Sequence, residues 1–198
     1  MRIGKLPLSA VLVLILSATA FAVPDSQKLG PYTVSFDIDT DYQAQVAQPV
    51  ESEKANVTQM RLFVDNSTFA VIGITEYAEL TDATMQVYKS IVPMNMIVLE
   101  GLNATNVEDR IIDGKEGLLV TSVPFEIENA IPSVVYRAMY WLDSKSCECG
   151  PLSAGKTNVM ITSTFSKDLT ESLISSLHIV KGETIQAPAP SGQAAPPA

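Results

Sequence analysis

Gly150-Pro151-Leu152-Ser153-Ala154-Gly155-Lys156-Thr157 carries the letters of a phosphate-binding loop. In such a loop backbone N–H groups and a helix N-terminus cradle the phosphates, so the chemistry needs a buried strand before the loop and a helix after it. Here the entry, Asp143 to Glu148, is polar, and the exit, Asn158 to Thr164, alternates like a strand. The segment therefore reads as a hairpin loop, and no nucleotide is expected. Just before it lie the only two cysteines, Cys147 and Cys149, separated by Glu148. Two cysteines one residue apart close a small strained ring that reduces more readily than an ordinary bridge. A disulfide clamp of the loop is the favoured reading. Thiol–disulfide exchange, free thiols and half of a soft-metal site are the alternatives.

Asp37, Asp39 and Asp41 alternate along the chain. If a strand ran through them, the three carboxylates would share one face within reach of a hard cation such as calcium. A helix-loop-helix calcium loop, however, asks for Gly at its sixth position and Glu at its twelfth, where this chain has Tyr42 and Gln48. Solvated strand-end charge is the favoured reading and calcium the alternative; no other cofactor is predicted. His178 is the sole histidine, which removes a two-histidine zinc motif within one chain. No Gly-x-Ser-x-Gly elbow supplies it with a nucleophile, and its place after Leu177 suggests a cation at a helix C-terminus. Asn56, Asn66 and Asn103 each open a glycosylation tripeptide, with Asn66 best placed for use.

These residues are set in an exported frame. Arg2 and Lys5 precede an uncharged apolar run from Leu8 to Leu16, and Ala20-Phe21-Ala22 has the small-x-small form of a cleavage site. Residues 1–22 are thus expected to be a signal peptide, with a secreted or extracytoplasmic product. Retention as an N-terminal anchor is the alternative, and the only circumstance in which membrane contact is expected. Residues 23–29 read as a short linker and residues 30–182 as a single domain. Residues 183–198, rich in Pro and Ala, read as a disordered tail.

The net charge of −9 becomes −11 when Arg2 and Lys5 leave with the leader. Phosphate backbones attract Lys and Arg clusters, so nucleic acid is excluded as a partner.

Alternation from Tyr32 to Ile38 marks a half-buried strand, and Val57–Val64 with Phe69–Tyr77 reads as a hairpin about Asp65-Asn66-Ser67-Thr68. Thr81 is placed to cap a helix that Pro93 interrupts, with a second helical piece over 94–99. Asn106–Ile112 and Leu118–Val123 flank an Asp113-Gly114 turn. Ser133–Leu142, apolar on both faces, is expected at the centre of the sheet, followed by a strand over Thr157–Phe165. A closing helix has Asp168 and Glu171 as a capping pair and Leu169, Leu173, Ile174 and Leu177 as its apolar stripe. The predicted class is α+β, a largely antiparallel sheet flanked by helices.

This order of elements, from the Tyr32–Ile38 strand to the Leu173–Ile179 segment with its Ser176-Leu177-His178-Ile179 ending, resembles the PsbP-like fold. That superfamily also holds the DcrB-like exported proteins. The resemblance implies an antiparallel sheet flanked by helices and an accessory or binding role, and it assigns no catalytic residue.

With no catalytic set assembled, the leading expectation is a non-enzymatic binding or accessory module of the cell envelope or extracellular space. Its partner would be a protein, a polymer or a small ligand. A thiol–disulfide redox protein acting through Cys147 and Cys149, or a structural envelope component, are the alternatives.

Overall fold

The computed structural model describes residues 25–78, 82–99, 101–125, 132–143 and 156–182. The chain enters through β1 (Asp25–Leu29) and β2 (Tyr32–Phe36), an antiparallel pair in which Tyr32, Val34 and Phe36 are buried on one side. Asp25–Leu29 was expected to be linker. Its polar Asp-Ser-Gln-Lys run has no apolar alternation, and it becomes a strand because β2 supplies partners for its backbone and the core receives Leu29.

Next come β3 (Gln43–Val46), β4 (Val50–Glu51), β5 (Ala55–Phe63) and β6 (Phe69–Tyr77). The expected β5–β6 hairpin is present, in register from Ala55↔Tyr77 to Phe63↔Phe69. Its turn is fixed by Asp65, whose Oδ1 accepts from Ser67 N–H (2.7 Å), Ser67 Oγ (2.8 Å) and Thr68 N–H (2.7 Å). These bonds hold the carboxyl down to about 2.

Helix α1 (Asp82–Ile97) contains Pro93 without breaking, and Val98–Leu99 forms β7. The expected interruption and second helical piece over 94–99 are therefore corrected. Proline in a helix interior costs about 3 kcal/mol, yet Val92 and Met96, one turn apart across Pro93, are buried with Val120, Met139 and Trp141. That packing holds both sides of the proline in one helix. Thr81, the expected cap, lies outside the described residues.

Strands β8 (Leu102–Ile112) and β9 (Lys115–Pro124) turn at Asp113-Gly114, both with positive φ (51° and 68°), as a two-residue hairpin turn of the primed type requires. β10 (Val135–Trp141) lies between β9 and β11 (Thr157–Ser163), in the central position expected for a strand apolar on both faces. Helix α2 (Lys167–Ser176) is capped by Ser166, whose Oγ accepts from Leu169 N–H at 3.3 Å, rather than by Asp168. Asp168 sits in the first turn, and Glu171 accepts from Arg110 Nη2 at 2.7 Å. The chain then leaves the helix at Leu177 and forms β12 (His178–Lys181) on β2.

Two sheets result. The smaller has the order β1-β2-β12; the larger runs β3-β5-β6-β11-β10-β9-β8-β7, with β4 also on β5. All pairings among the described residues are antiparallel. The class is broadly α+β, mostly antiparallel strand with two short helices among the described residues. One core joins Tyr32, Val34 and Phe36 to Ile72, Ile161 and Tyr140 of the larger sheet and to Leu173, Ile174 and Leu177 of α2. A second cluster lies under α1, around Met139 and Trp141. Among the described residues no helix is long and apolar enough to cross a membrane.

Candidate ligand cleft

Alternation along β9 and β10 sends Leu118, Val120, Met139 and Trp141 into the cluster beneath α1. Where α1 covers this floor incompletely, a cleft of about 680 Å3 opens against Pro93, Ile111, Leu118, Met139 and Trp141. Asp109, Arg110 and Glu116 supply its polar lining. Gly117, also in the lining, is there because nothing larger fits. A β-carbon at this position would lie 2.5 Å from the Met139 carbonyl oxygen and 3.1 Å from Tyr140 Cβ. Arg110 is held in place by Glu171 (2.7 Å) and Glu108 (3.1 Å). Trp141 is buried, its ring centroid 6.1 Å from that of Tyr77.

On the same side of β10 as Met139, Arg137 is only 4% exposed. Burial pushes its guanidinium below the ordinary arginine value. Nη2 donates to Ser122 Oγ at 3.1 Å, and Nε has no partner among the described residues.

A second, more polar hollow of about 440 Å3 is lined by Glu76, Leu142, Asp143, Lys156, Thr157 and Lys181 among others. Lys181 Nζ donates to Glu76 Oε1 (2.5 Å) and the Tyr32 hydroxyl to Oε2 (3.1 Å). The lysine bond holds the Glu76 carboxyl below its usual range, while burial, with the Glu76 charge, pushes the Tyr32 phenol up. Asp143 closes the base of the β10–β11 connection by accepting from Lys156 N–H (2.9 Å) and Thr157 N–H (3.0 Å).

That base decides the phosphate-loop letters. β10 enters and β11 leaves, so Thr157 opens a strand where the motif demands a helix. Gly150 to Gly155, and with them Cys147 and Cys149, lie outside the described residues.

Asp37, Asp39 and Asp41 do not share a strand face, because β2 ends at Phe36. From there the backbone is taken up by α2. Asp37 N–H donates to Ser176 Oγ at 2.8 Å, and Asp37 C=O accepts from the hydroxyls of Ser172 and Ser176, both at 3.0 Å. Among the described residues no group of three or more His, Cys, Asp and Glu side chains is arranged to hold a metal ion.

His178 starts a strand instead of ending a helix. Its Nδ1 lies 2.6 Å from Asp113 Oδ1, and Asp113 Oδ2 accepts from the Tyr140 hydroxyl (3.2 Å) and Ile179 N–H (3.1 Å). The imidazole is 65% exposed and its Asp113 partner 8% exposed, an orienting acid beside a histidine. Asn56, Asn66 and Asn103 are all exposed; Asn66 is in the β5–β6 turn, the other two on strands.

The cleft residues were not singled out as a site from sequence. The available signal was the strand carrying Met139 and the chain's one tryptophan on one face while filling the core with the other. Comparison with known proteins gave no match to a family model, a curated protein or a solved structure.

Proposed function

We propose that this chain is an exported, non-enzymatic binding module of the cell envelope or extracellular space. Its ligand would be a small molecule with an apolar body, seated between α1 and the β8–β9–β10 part of the sheet. The observation that carries the reading is the cleft itself. Its volume falls within the ~300–1,000 Å3 of ligand sites, its floor is apolar, and a few charged groups border it. Burial of the apolar body would supply the affinity, and Asp109 and Glu116 would set its orientation. The leader at residues 1–22 supports export. The PsbP-like resemblance implies the same accessory role.

The single tryptophan makes the test direct, since Trp141 lines the cleft. Anilinonaphthalene sulfonate titrated into the purified protein is expected to bind saturably and quench Trp141 emission by energy transfer. Leu118→Lys should weaken that binding by about tenfold or more, the equivalent of ~1.4 kcal/mol, and Ile111→Ser, at an exposed position, should weaken it less. Quenching that never saturates, or that ignores Leu118→Lys in a folded variant, refutes the site.

A further inference from the structure

β8 is paired with β9 from end to end, but among the described residues its other side is nearly bare. Of those residues, only Leu102 and Asn103 have strand partners there, Leu99 and Val98 of β7. Between the bulge at Ala104/Asn106 and the Asp113-Gly114 turn, the seven residues from Asn106 to Ile112 have no strand on their outer side among the described residues. A two-residue turn makes Ile112 and Lys115 a hydrogen-bonded pair, so alternation aims the N–H and C=O groups of Val107, Asp109 and Ile111 away from β9. A regular edge of unpaired backbone groups is a template for another strand.

We propose that the strand added here is the same edge of a second copy, antiparallel about a two-fold axis at Asp109 and perpendicular to the sheet. The segment is complementary to itself, as an isologous contact requires. Glu108 and Arg110, already 3.1 Å apart within one chain, flank Asp109 symmetrically, so across the axis each also meets its opposite charge and the two pairs join: Glu108 lies across from Arg110 of the partner subunit. Val107 and Ile111, 44% and 67% exposed, flank it in the same way and meet as apolar pairs. Sliding the register by two residues in one direction sets Glu108 opposite Glu108 of the partner subunit; sliding it in the other does the same for Arg110. The bulge and the turn bound the segment at equal distances from Asp109, and the Asn103 sequon lies beyond the bulge. One pair is unfavourable: the two Asp109 carboxylates face each other on the axis. This gives the register a signature that a generic apolar contact lacks.

The test is sedimentation velocity of the full secreted protein from about 1 to 100 μM, the range of weak specific association. A reversible monomer–dimer equilibrium is expected. Val107→Pro, which removes an outward N–H and leaves the β8–β9 ladder intact, should abolish the dimer without loss of far-ultraviolet circular dichroism. Asp109→Asn should tighten it and Glu108→Arg weaken it, each by about two- to tenfold. A monomer throughout the range overturns the proposal. So does a dimer that survives Val107→Pro, one indifferent to both charge variants, or an edge occupied by a different protein in place of a second copy.

Discussion

Asp113→Ala tests how the last strand is held. Asp113 sits in the β8–β9 turn at φ 51° and is nearly buried, accepting from the Tyr140 hydroxyl and from Ile179 N–H, the first buried position of β12. Truncation orphans both donors, at about 1–3 kcal/mol each. It also leaves an alanine in the left-handed region, at about 1 kcal/mol. The contact with His178 adds under ~1 kcal/mol, because the imidazole is mostly in water. These costs share one site and do not add fully, so a loss of about 4 kcal/mol is expected. In urea, with a slope near ~2 kcal/mol/M, that is a midpoint lower by ~2 M, read from Trp141 emission. Asp113→Gly removes the backbone part and should be milder than Asp113→Ala by about 1 kcal/mol. Asp113→Asn, which keeps one acceptor oxygen, should be milder still. If Asp113→Ala lowered stability by less than ~1 kcal/mol, the hydrogen bonds to β12 would not be holding it, and the reasoning would fail.

Gly117→Ala forces a β-carbon to within 2.5 Å of the Met139 carbonyl oxygen. Since backbone cannot swing aside as a side chain can, about 3 kcal/mol of stability should be lost in urea denaturation; a variant within ~0.5 kcal/mol of wild type would show that the strands can part there. For pH dependence, Glu76 has its carboxyl lowered by Lys181, so its contribution is fully present above the ordinary glutamate value and is lost as pH falls through the lowered folded value. The gap in melting temperature between wild type and Glu76→Gln should therefore be largest near neutrality and close on acidification below the ordinary glutamate range. A gap that stayed constant with pH would rule out the Lys181 pairing as its source.

Elements with their own local signal were legible. β5–β6 alternates on both sides of a turn in which Asp65 bonds its own following backbone, and Asp113-Gly114 is a hairpin turn by residue type alone. Elements defined by a distant partner were not. β1 is polar and is a strand through pairing with β2; β12 begins at His178, which reads as the end of a helix until β2 and Asp113 capture the segment. Pro93 carries a strong local stop signal, overridden by contacts of Val92 and Met96 with residues far along the chain. The alternating aspartates do not share a strand face for the opposite reason. The pattern extends past the strand, and Ser172 and Ser176, more than a hundred residues later, take the backbone elsewhere. The cleft was legible only as a strand with two apolar faces, since Pro93, Ile111 and Trp141 come together through three different elements.

The C-terminal strand and the cleft use opposite sides of the larger sheet. β12 pairs with β2, receives Asp113 at Ile179 and sends Lys181 to Glu76, so the small sheet is fastened to the larger one at two well-separated places. α2 adds a third tie through Glu171 to Arg110. None of Ile179, Lys181 or Glu171 lines the cleft beneath α1, whereas Leu118 and Ile111 make none of these ties. Substitutions on the first side should therefore move stability, and those on the second should move ligand binding at nearly constant stability. Arg110 and Tyr140 are the exceptions, because each lines the cleft and also reaches across to a tie. Coupling between ligand and fold should pass through these two residues. A bound probe would then raise the urea midpoint of wild type by mass action. The same gain in Asp113→Ala would mean that releasing the Tyr140 hydroxyl leaves the cleft wall in place, and a smaller gain that the wall depends on it.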